Sequence, residues 1–208
     1  MNAGATSERI HETIRERVLS AQLHPGDRLD PASLAGPLAS STTPVREALC
    51  RLVGEGLVET RPGSGFHLPL LDEPELRDRI AWSRYLSLIA LREASPEHLP
   101  QIAREPGRKA APDRAEYYAH AIARRLEGLA RASGNCEIVD TMARTNARLH
   151  AVRTGEPALF EDTAEELARL DAALREADTR RLARLLNTWH RRRERHAGQL
   201  VRLRYRTQ

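Results

Sequence analysis

The sequence predicts a mainly α protein that carries one small β-hairpin near its N-terminus. Aromatic residues make up only 4% of the 208 residues, which is typical of helices packed through aliphatic side chains. Turn-bounded segments of strand-forming residues occur between residues 57 and 70, whereas apolar residues recur at helical spacing from residue 72 onward. The length permits two modest domains, and this change of pattern places them at residues 1–71 and 72–208.

Two helices are predicted to follow a small, polar N-terminal arm, residues 1–7. Ser7 can cap the first of them. Its apolar positions are Ile10, Ile14, Val18 and Leu19. Asp30 and Pro31 open the second helix, which is short because Gly36-Pro37 interrupts it.

The third predicted helix begins at Ser41. Its apolar residues follow the spacing i, i+3, i+4, i+7 and i+8, so they form one stripe that must face a core. They are Val45, Ala48, Leu49, Leu52 and Val53. The hydroxyls of Ser41, Thr42 and Thr43 can accept hydrogen bonds from first-turn N–H groups. Pro44 is tolerated there because its missing N–H would have no helical partner.

A β-hairpin is predicted directly after this helix. Residues 57–60 favour a strand, residues 61–65 a turn and residues 66–70 a second strand. A hairpin directly after such a helix is typical of a wing, so the N-terminal domain is predicted to be a winged helix-turn-helix. On pattern alone, a purely structural corner stays open as the alternative.

The start of the third helix and the tip of the wing form the candidate DNA-binding surface. Hydroxyls and arginines suit the phosphates and base edges of a major groove, and glycines allow a close approach to a backbone. The candidate residues are Ser41, Thr42, Thr43, Arg46, Arg51, Arg61, Gly63, Ser64 and Gly65. Residues 1–70 carry seven Arg against eight Asp plus Glu. Binding must therefore rely on this local cluster and on its doubling in a homodimer.

Motifs in the first third of the chain closely resemble the winged-helix domain of GntR-type bacterial transcription regulators. They are Thr43-Pro44-Val45-Arg46-Glu47-Ala48-Leu49, Arg51-Leu52, Glu55-Gly56-Leu57-Val58 and the upstream Pro25-Gly26-Asp27-Arg28-Leu29. The resemblance covers residues 10–70 and implies a regulator that binds double-stranded operator DNA. We expect a repressor, and activation stays open as the alternative.

The second domain is predicted to be an all-α bundle of about six helices. Its apolar stripes cover residues 76–91, 99–102, 118–129, 138–149, 159–174 and 182–200, and residues 106–112 are predicted to be a loop. Ser133-Gly134-Asn135 and the spacing from Ala173-Leu174 through Asp178 to His190 resemble the C-terminal domain of the FadR (FCD) branch of the same family. The resemblance implies a domain that binds a small-molecule effector and dimerises.

The FCD branch often holds a divalent metal through an Asp and a His four residues apart and through two later His. The corresponding positions here hold Ile122, Leu126 and Leu167, and His190 is the one match. Since several ligands must converge on one ion, we expect no metal and no other cofactor. A site rebuilt from Glu116, His120, His150 and His190 stays open as the alternative.

An effector pocket in this domain is predicted from arginine, histidine and tyrosine side chains. Arginine matches a carboxylate, and without a metal the pocket is expected to favour an apolar or aromatic effector. The candidates are Arg84, Tyr117, His120, Arg144, Arg148, His150 and His190. Trp82, Tyr118 and Trp189 are further aromatic candidates, with plain core packing as the alternative.

The last 31 residues carry ten arginines, and the acidic segment of residues 161–166 is a candidate internal partner for them. Two cysteines provide no disulfide framework, and the apolar runs fall short of the ~20 residues that a membrane-spanning helix needs. We therefore expect a cytoplasmic protein that makes no membrane contact.

The preferred function is an effector-responsive, homodimeric transcription regulator. One alternative is an architectural DNA-binding protein whose helical domain only dimerises. Another is a metal-dependent enzyme with an accessory winged helix. The sequence offers no nucleophile-and-base pair, phosphate loop or carboxylate dyad, so we expect that the protein is not an enzyme.

Overall fold

The computed structural model describes residues 3–20, 22–104 and 113–206. The predicted loop at residues 106–112 lies outside the described residues, as do the first two residues of the predicted arm. The chain divides into two compact units, Met1–Leu71 and Asp72–Gln208, which are called the N-terminal and C-terminal units below.

The N-terminal unit contains three helices and three short strands. They are α1 (Ala3–Leu19), β1 (Arg28–Leu29), α2 (Pro31–Ala35), α3 (Thr42–Gly54), β2 (Glu59–Arg61) and β3 (Gly65–His67). Helix α1 begins at Ala3, so the predicted N-terminal arm is wrong from that residue on. Alanines at positions 3 and 5 are strong helix formers and extend the helix toward the N-terminus.

The predicted apolar stripe of α3 faces the core of this unit. Val45, Ala48, Leu49 and Leu52 are buried, together with Ile10 and Ile14 of α1. Helix α2 is also short, as predicted. The Asp30 side chain caps it by accepting a hydrogen bond from the Ser33 N–H at 2.9 Å.

The three strands form an antiparallel sheet in the order β1-β3-β2. The predicted hairpin is confirmed, but β2 begins later than expected. The N–H groups of Leu57 and Val58 donate to the Leu52 carbonyl, so these two residues close the end of α3 and do not pair with a strand. Strand β1 was not predicted because it has two residues, which is too short to show an alternating pattern.

Every regular element that the structure describes in the C-terminal unit is helical, which confirms the predicted all-α bundle. The α-helices are α4 (Glu73–Glu93), α5 (Leu99–Ile102), α6 (Arg114–Ala132), α7 (Cys136–Arg153), α8 (Glu156–Leu159), α9 (Thr163–Arg175), α10 (Thr179–Arg195) and α11 (Ala197–Tyr205), and a 3-10 turn at Pro96–His98 precedes α5. Asp72, Asp113, Asn135 and Asp178 cap α4, α6, α7 and α10 through their side chains. Within the described residues, none of these helices has the length and apolar character needed to span a bilayer.

Two segments predicted as single helices are each broken once. The backbone turns to an extended conformation at Phe160, which separates α8 from α9. His196 separates α10 from α11 and holds its Nδ1 2.8 Å from the Arg192 carbonyl oxygen. Periodicity alone does not reveal these breaks, because the apolar residues on their two sides stay in phase with one continuous helix: Leu167 follows Phe160 by seven residues, and Leu200 follows Trp189 by eleven.

Candidate nucleic-acid interface and ligand cavity

Helix α3 presents one polar face to solvent. Thr42, Thr43, Arg46, Glu47 and Cys50 are exposed on the side opposite the buried stripe. Ser41 is the N-cap residue by backbone geometry, but it makes no side-chain capping bond, contrary to expectation. The start of α3 therefore carries small polar side chains over first-turn N–H groups, a combination that suits a phosphate oxygen.

Arg46 connects this helix face to the wing. Its guanidinium carbon lies 5.9 Å from the centre of the Phe66 ring, on strand β3. This contact places the Arg46 side chain at the junction of the helix and the hairpin.

The other two predicted arginines are paired with carboxylates of the same unit. Arg51 Nη1 donates to Glu8 at 2.9 Å, and this hydrogen bond lowers the pKa of the Glu8 carboxyl and raises the pKa of Arg51. Arg61 Nε donates to Glu59 at 2.7 Å. The Arg51–Glu8 pair is exposed and the Arg61–Glu59 pair is partly exposed, so both arginines can exchange their carboxylate for another anion.

The tip of the wing is a hydrogen-bonded turn that is exposed to solvent. The Ser64 N–H donates to the Arg61 carbonyl at 3.0 Å, and Gly63 and Gly65 adopt φ values of +71° and +85°. A Cβ at Gly63 would meet no atom within 4 Å, so the backbone conformation and not a neighbour requires glycine there. The exposed glycine backbone leaves room for a close approach to DNA.

A cavity of about 240 Å³ opens between α6, α9 and α10 of the C-terminal unit. Its apolar wall consists of Ile122, Leu126, Leu170, Leu185, Leu186 and Trp189, and its polar rim of Asp162, Glu166, Arg169, Thr188 and Arg192. An apolar wall with a few charged groups at the rim is typical of a small-molecule site.

The charged rim is held together by ion pairs. Arg192 Nη1 lies 2.6 Å from Asp162 and 2.8 Å from Glu166, and Arg169 lies 3.6 Å from Asp162. Burial acts to raise the pKa of the Asp162 carboxyl, but the hydrogen bond and charge of Arg192 outweigh it and lower that pKa. These contacts confirm the predicted pairing of the acidic segment with the arginine-rich tail.

A buried polar network lies next to this rim. Arg193 and Glu156 are only 1% and 2% exposed, and Arg193 Nε donates to Glu156 at 2.9 Å. Arg193 also donates to Glu166 and to the Tyr118 hydroxyl, which in turn donates to Glu156. Burial opposes the Arg193 charge, but the two carboxylates raise the pKa of its guanidinium. Sequence patterns did not identify this network, because α6, α8, α9 and α10 each supply part of it.

The family-type metal position is aliphatic in the structure. Ile122, Leu126 and Leu167 are buried in the apolar core and offer no ligand atom. His190 is fully buried, with Nδ1 2.8 Å from the Leu186 carbonyl oxygen and Nε2 3.1 Å from the Ser83 hydroxyl. Burial lowers the pKa of His190 to about 3. These residues do not fit a metal ion at that position.

The structure does not bring the seven predicted pocket residues together, because they occupy different helix faces. Arg84 is paired with Glu194 at 2.9 Å. Tyr117, Arg144 and Arg148 are exposed, and His190 is enclosed by core residues. His120 and His150 do converge, together with Glu116. None of the seven, all of which the structure describes, lines the 240 Å³ cavity.

Trp189 is the one residue of that cavity which sequence reasoning had considered as a pocket aromatic. The rim residues Asp162, Glu166 and Arg192 were recognised as charge partners and not as a ligand site. The available signal was the pairing of an acidic segment with a basic helix that also carries an aromatic residue.

Comparison with known proteins agrees with this geometry. Residues 6–68 match the family model described as bacterial regulatory proteins, gntR family. An uncharacterized HTH-type transcriptional regulator in an unstable DNA locus of Streptomyces ambofaciens is 31% identical over 158 residues, which are 72% of this chain and 66% of that protein. In two further curated relatives the matched segments span 36% and 42% of the relative's own length.

Solved structures share the fold over nearly the whole chain. E. coli McbR/YncC has a TM-score of 0.70 at 20% identity, covering 96% of this chain and 99% of that one. A GntR protein from Rhodococcus sp. RHA1 has a TM-score of 0.77 at 16% identity, covering 93% and 97%. The family-model match, the Streptomyces relative and the helix-and-wing geometry together show that the chain belongs to the GntR family of bacterial regulatory proteins.

Proposed function

We propose that the protein is a cytoplasmic, homodimeric transcription regulator, without enzymatic activity, whose binding to operator DNA responds to a small-molecule effector. The observation that carries this proposal is the exposed polar face of α3 together with the exposed glycine turn of the wing, in a unit that matches the gntR family model. The α-helical C-terminal unit with its cavity supports an FCD-like role in effector binding.

In this proposal the start of α3 enters the major groove. Thr42 and Thr43 contact phosphates, and Arg46 reaches a base edge. The wing tip at Gly63 follows the adjacent backbone, where Arg61 exchanges Glu59 for a phosphate. The near-neutral charge of this unit makes one copy a weak binder, so two copies on paired half-sites are needed.

Helix α4 offers a surface for the second copy. Trp82, Tyr85 and Ile89 are 49%, 51% and 47% exposed and follow each other at spacings of three and four residues. Tyr85 and Ile89 belong to the apolar stripe predicted at residues 76–91 for the core of the bundle, and the structure corrects this by exposing both. An exposed aromatic and aliphatic stripe on a helix of this length is typical of an interaction surface.

The charges at the two ends of this stripe favour pairing of α4 with itself. Asp78 lies one turn before Trp82, and Arg92 lies near the end of the helix. A two-fold axis at Tyr85 places Trp82 close to the copy's Ile89 and Asp78 opposite the copy's Arg92. The same surface is therefore complementary to itself in both apolar character and charge.

The effector is proposed to be a small aromatic or aliphatic carboxylic acid. Its apolar body would pack against Trp189 and the leucines of the 240 Å³ cavity. Its carboxylate would contact Arg169 or Arg192 at the rim, in place of Asp162. No metal ion takes part in this proposed binding, because the family-type ligand positions hold aliphatic side chains, and two of these, Ile122 and Leu126, belong to the cavity wall.

The test uses the full chain. DNA fragments are selected from a random library by the purified protein, and the best fragment is titrated in a band-shift assay with and without benzoate and longer carboxylic acids.

A Trp82→Phe variant leaves Trp189 as the only tryptophan, so quenching of its fluorescence reports occupation of the cavity. Failure to select any fragment overturns the DNA proposal, and quenching that persists after Leu185→Phe is added, which narrows the cavity without adding a tryptophan, overturns the pocket.

A further inference from the structure

We propose that the Glu116 carboxylate and the imidazoles of His120 and His150 bind one divalent transition-metal ion, for which Zn²⁺ is the best chemical match. This site lies outside the effector cavity and does not depend on the DNA-binding proposal. It also replaces the expectation that the protein binds no metal.

The fold places the three side chains together by simple geometry. Glu116 and His120 are four residues apart on α6, so they lie on one face of that helix. The tight turn at residues 133–135 sends α7 back along α6. The last turn of α7, which carries His150, therefore packs beside the first turns of α6.

The distances approach those of a coordination sphere. His150 Nε2 lies 3.0 Å from Glu116 Oε2, and His120 Nε2 lies 3.5 Å from the same oxygen. The three ligand atoms all lie within 4.8 Å of one another. Zinc bonds of about 2.0–2.2 Å in a tetrahedron separate neighbouring ligand atoms by roughly 3.3–3.6 Å. Small side-chain rotations are therefore enough to enclose an ion.

The donor set suits a transition metal. Two neutral imidazoles and one carboxylate are ligands that Zn²⁺, Co²⁺ and Ni²⁺ accept, and water completes the coordination. The side chains of His150, Glu116 and His120 are 8%, 18% and 33% exposed. One side of the site is thus anchored in the bundle, while the His120 side admits an ion and its water.

This cluster differs from the metal position of the FCD branch. Of the four histidine and glutamate residues considered for a rebuilt site, the structure unites Glu116, His120 and His150, whereas His190 bonds to Ser83 and the Leu186 carbonyl. The new site uses α7, which supplies none of the positions compared with the family pattern.

The proposal is tested by dialysing chelator-stripped full-length protein against Zn²⁺ and measuring bound metal by elemental analysis. We expect about one ion per chain in the wild type and in His190→Ala and His98→Ala, which remove histidines outside the cluster. His150→Ala and Glu116→Gln should each reduce occupancy by at least about tenfold, in line with the loss of one ligand. A wild type without bound metal, or binding that persists in both cluster variants, would overturn the proposal.

Two further measurements keep the result unambiguous. Co²⁺ loading should give visible absorption bands of a nitrogen- and oxygen-ligated ion in the wild type and not in Glu116→Gln, a variant of nearly unchanged shape. Zn²⁺ should raise the melting temperature of the wild type but leave that of Glu116→Gln unchanged. Band-shift titration of the stripped protein measures DNA binding separately, so failure of the metal site and failure of the regulator proposal are distinguishable.

Discussion

His190 lies fully buried in the C-terminal unit, between the Leu186 carbonyl and the Ser83 hydroxyl. A carbonyl accepts only, so Nδ1 carries the proton and Nε2 accepts from Ser83. This neutral tautomer satisfies both ring nitrogens. Protonation would place a charge in the core near Arg153, Arg193 and Arg84, which all disfavour it.

The stability of the unit should therefore depend on pH through this residue. The pKa of His190 is about 3 in the folded protein against 6.5 in the unfolded chain, so the unfolded chain binds the extra proton between these values. The stabilising contribution is present above pH 6.5 and declines as pH falls toward 3, by up to about 1.4 kcal/mol per pH unit. The free energy of unfolding, measured by urea titration at several pH values, should depend less steeply on pH in His190→Asn, which keeps a donor to the Leu186 carbonyl. The same pH dependence in the wild type and the variant would contradict this assignment.

Arg193 is the second residue on which the core depends. Arg193→Ala leaves the buried Glu156 carboxylate without its charge partner and should cost about 3–5 kcal/mol of unfolding free energy. The matched control Arg191→Ala, on the exposed face of the same helix, should cost about 0.5 kcal/mol or less. Denaturant titration measures both, and a loss of similar size in the two variants would argue against a stabilising role for the buried pair.

At the scale of elements, helix α3 and the wing form the surface that is proposed to contact DNA. Arg46→Ala should weaken binding to the selected DNA fragment by about 1–3 kcal/mol while leaving the melting temperature nearly unchanged, because the side chain lies off the buried stripe. Arg17→Ala, an exposed arginine of α1, is the control and should bind like the wild type. Unchanged affinity of Arg46→Ala at fixed salt would remove Arg46 from base recognition.

The elements also show what the sequence could predict. The α3 stripe and the hairpin depend on local periodicity and turn residues, and both were predicted. Strand β1 pairs with β3 through Leu29 and Phe66, a contact between distant parts of the chain that no local pattern encodes. Periodicity likewise identified the apolar stripe of α4 but could not distinguish burial in the bundle from exposure at Tyr85 and Ile89.

The candidate sites could not be fully predicted from the sequence either, because they depend on how the helices pack in the tertiary structure. Glu116, His120 and His150 were recognised by residue type, but only the packing of α6 on α7 separates them from His190. The 240 Å³ cavity was not predicted, because its wall and rim come from three helices whose relative placement is set by the core.

At the scale of the whole molecule, the protein should be a homodimer. Light scattering should give about twice the 23.3 kDa chain mass for the wild type and the single-chain mass for Trp82→Glu. The variant loses the apolar contacts of the Trp82 indole and places a carboxylate in the interface. Tyr205→Glu, at an exposed aromatic residue of α11 that is not part of the stripe, serves as the control.

Charge reversal provides the sharper test of the proposed arrangement. Asp78→Arg and Arg92→Asp should each weaken the dimer, and the double variant should restore it, since the proposed two-fold axis would bring the two positions opposite each other. A monomeric wild type that binds DNA as one copy per site would contradict the whole arrangement. If the losses of dimer affinity in the two single variants simply add up in the double variant, only this position of the two-fold axis is excluded, and the homodimer itself is not.

In the proposed regulator, the carboxylates that hold Arg51 and Arg61 would also affect how the protein searches a genome. Glu8 and Glu59 would compete with every phosphate for these guanidiniums, so random duplex would gain little from them. Only a site where α3 and the wing dock together would offer enough contacts to displace both. Non-specific retention on chromosomal DNA would thereby be kept low, and the ratio of specific to non-specific affinity would benefit more than the affinity itself.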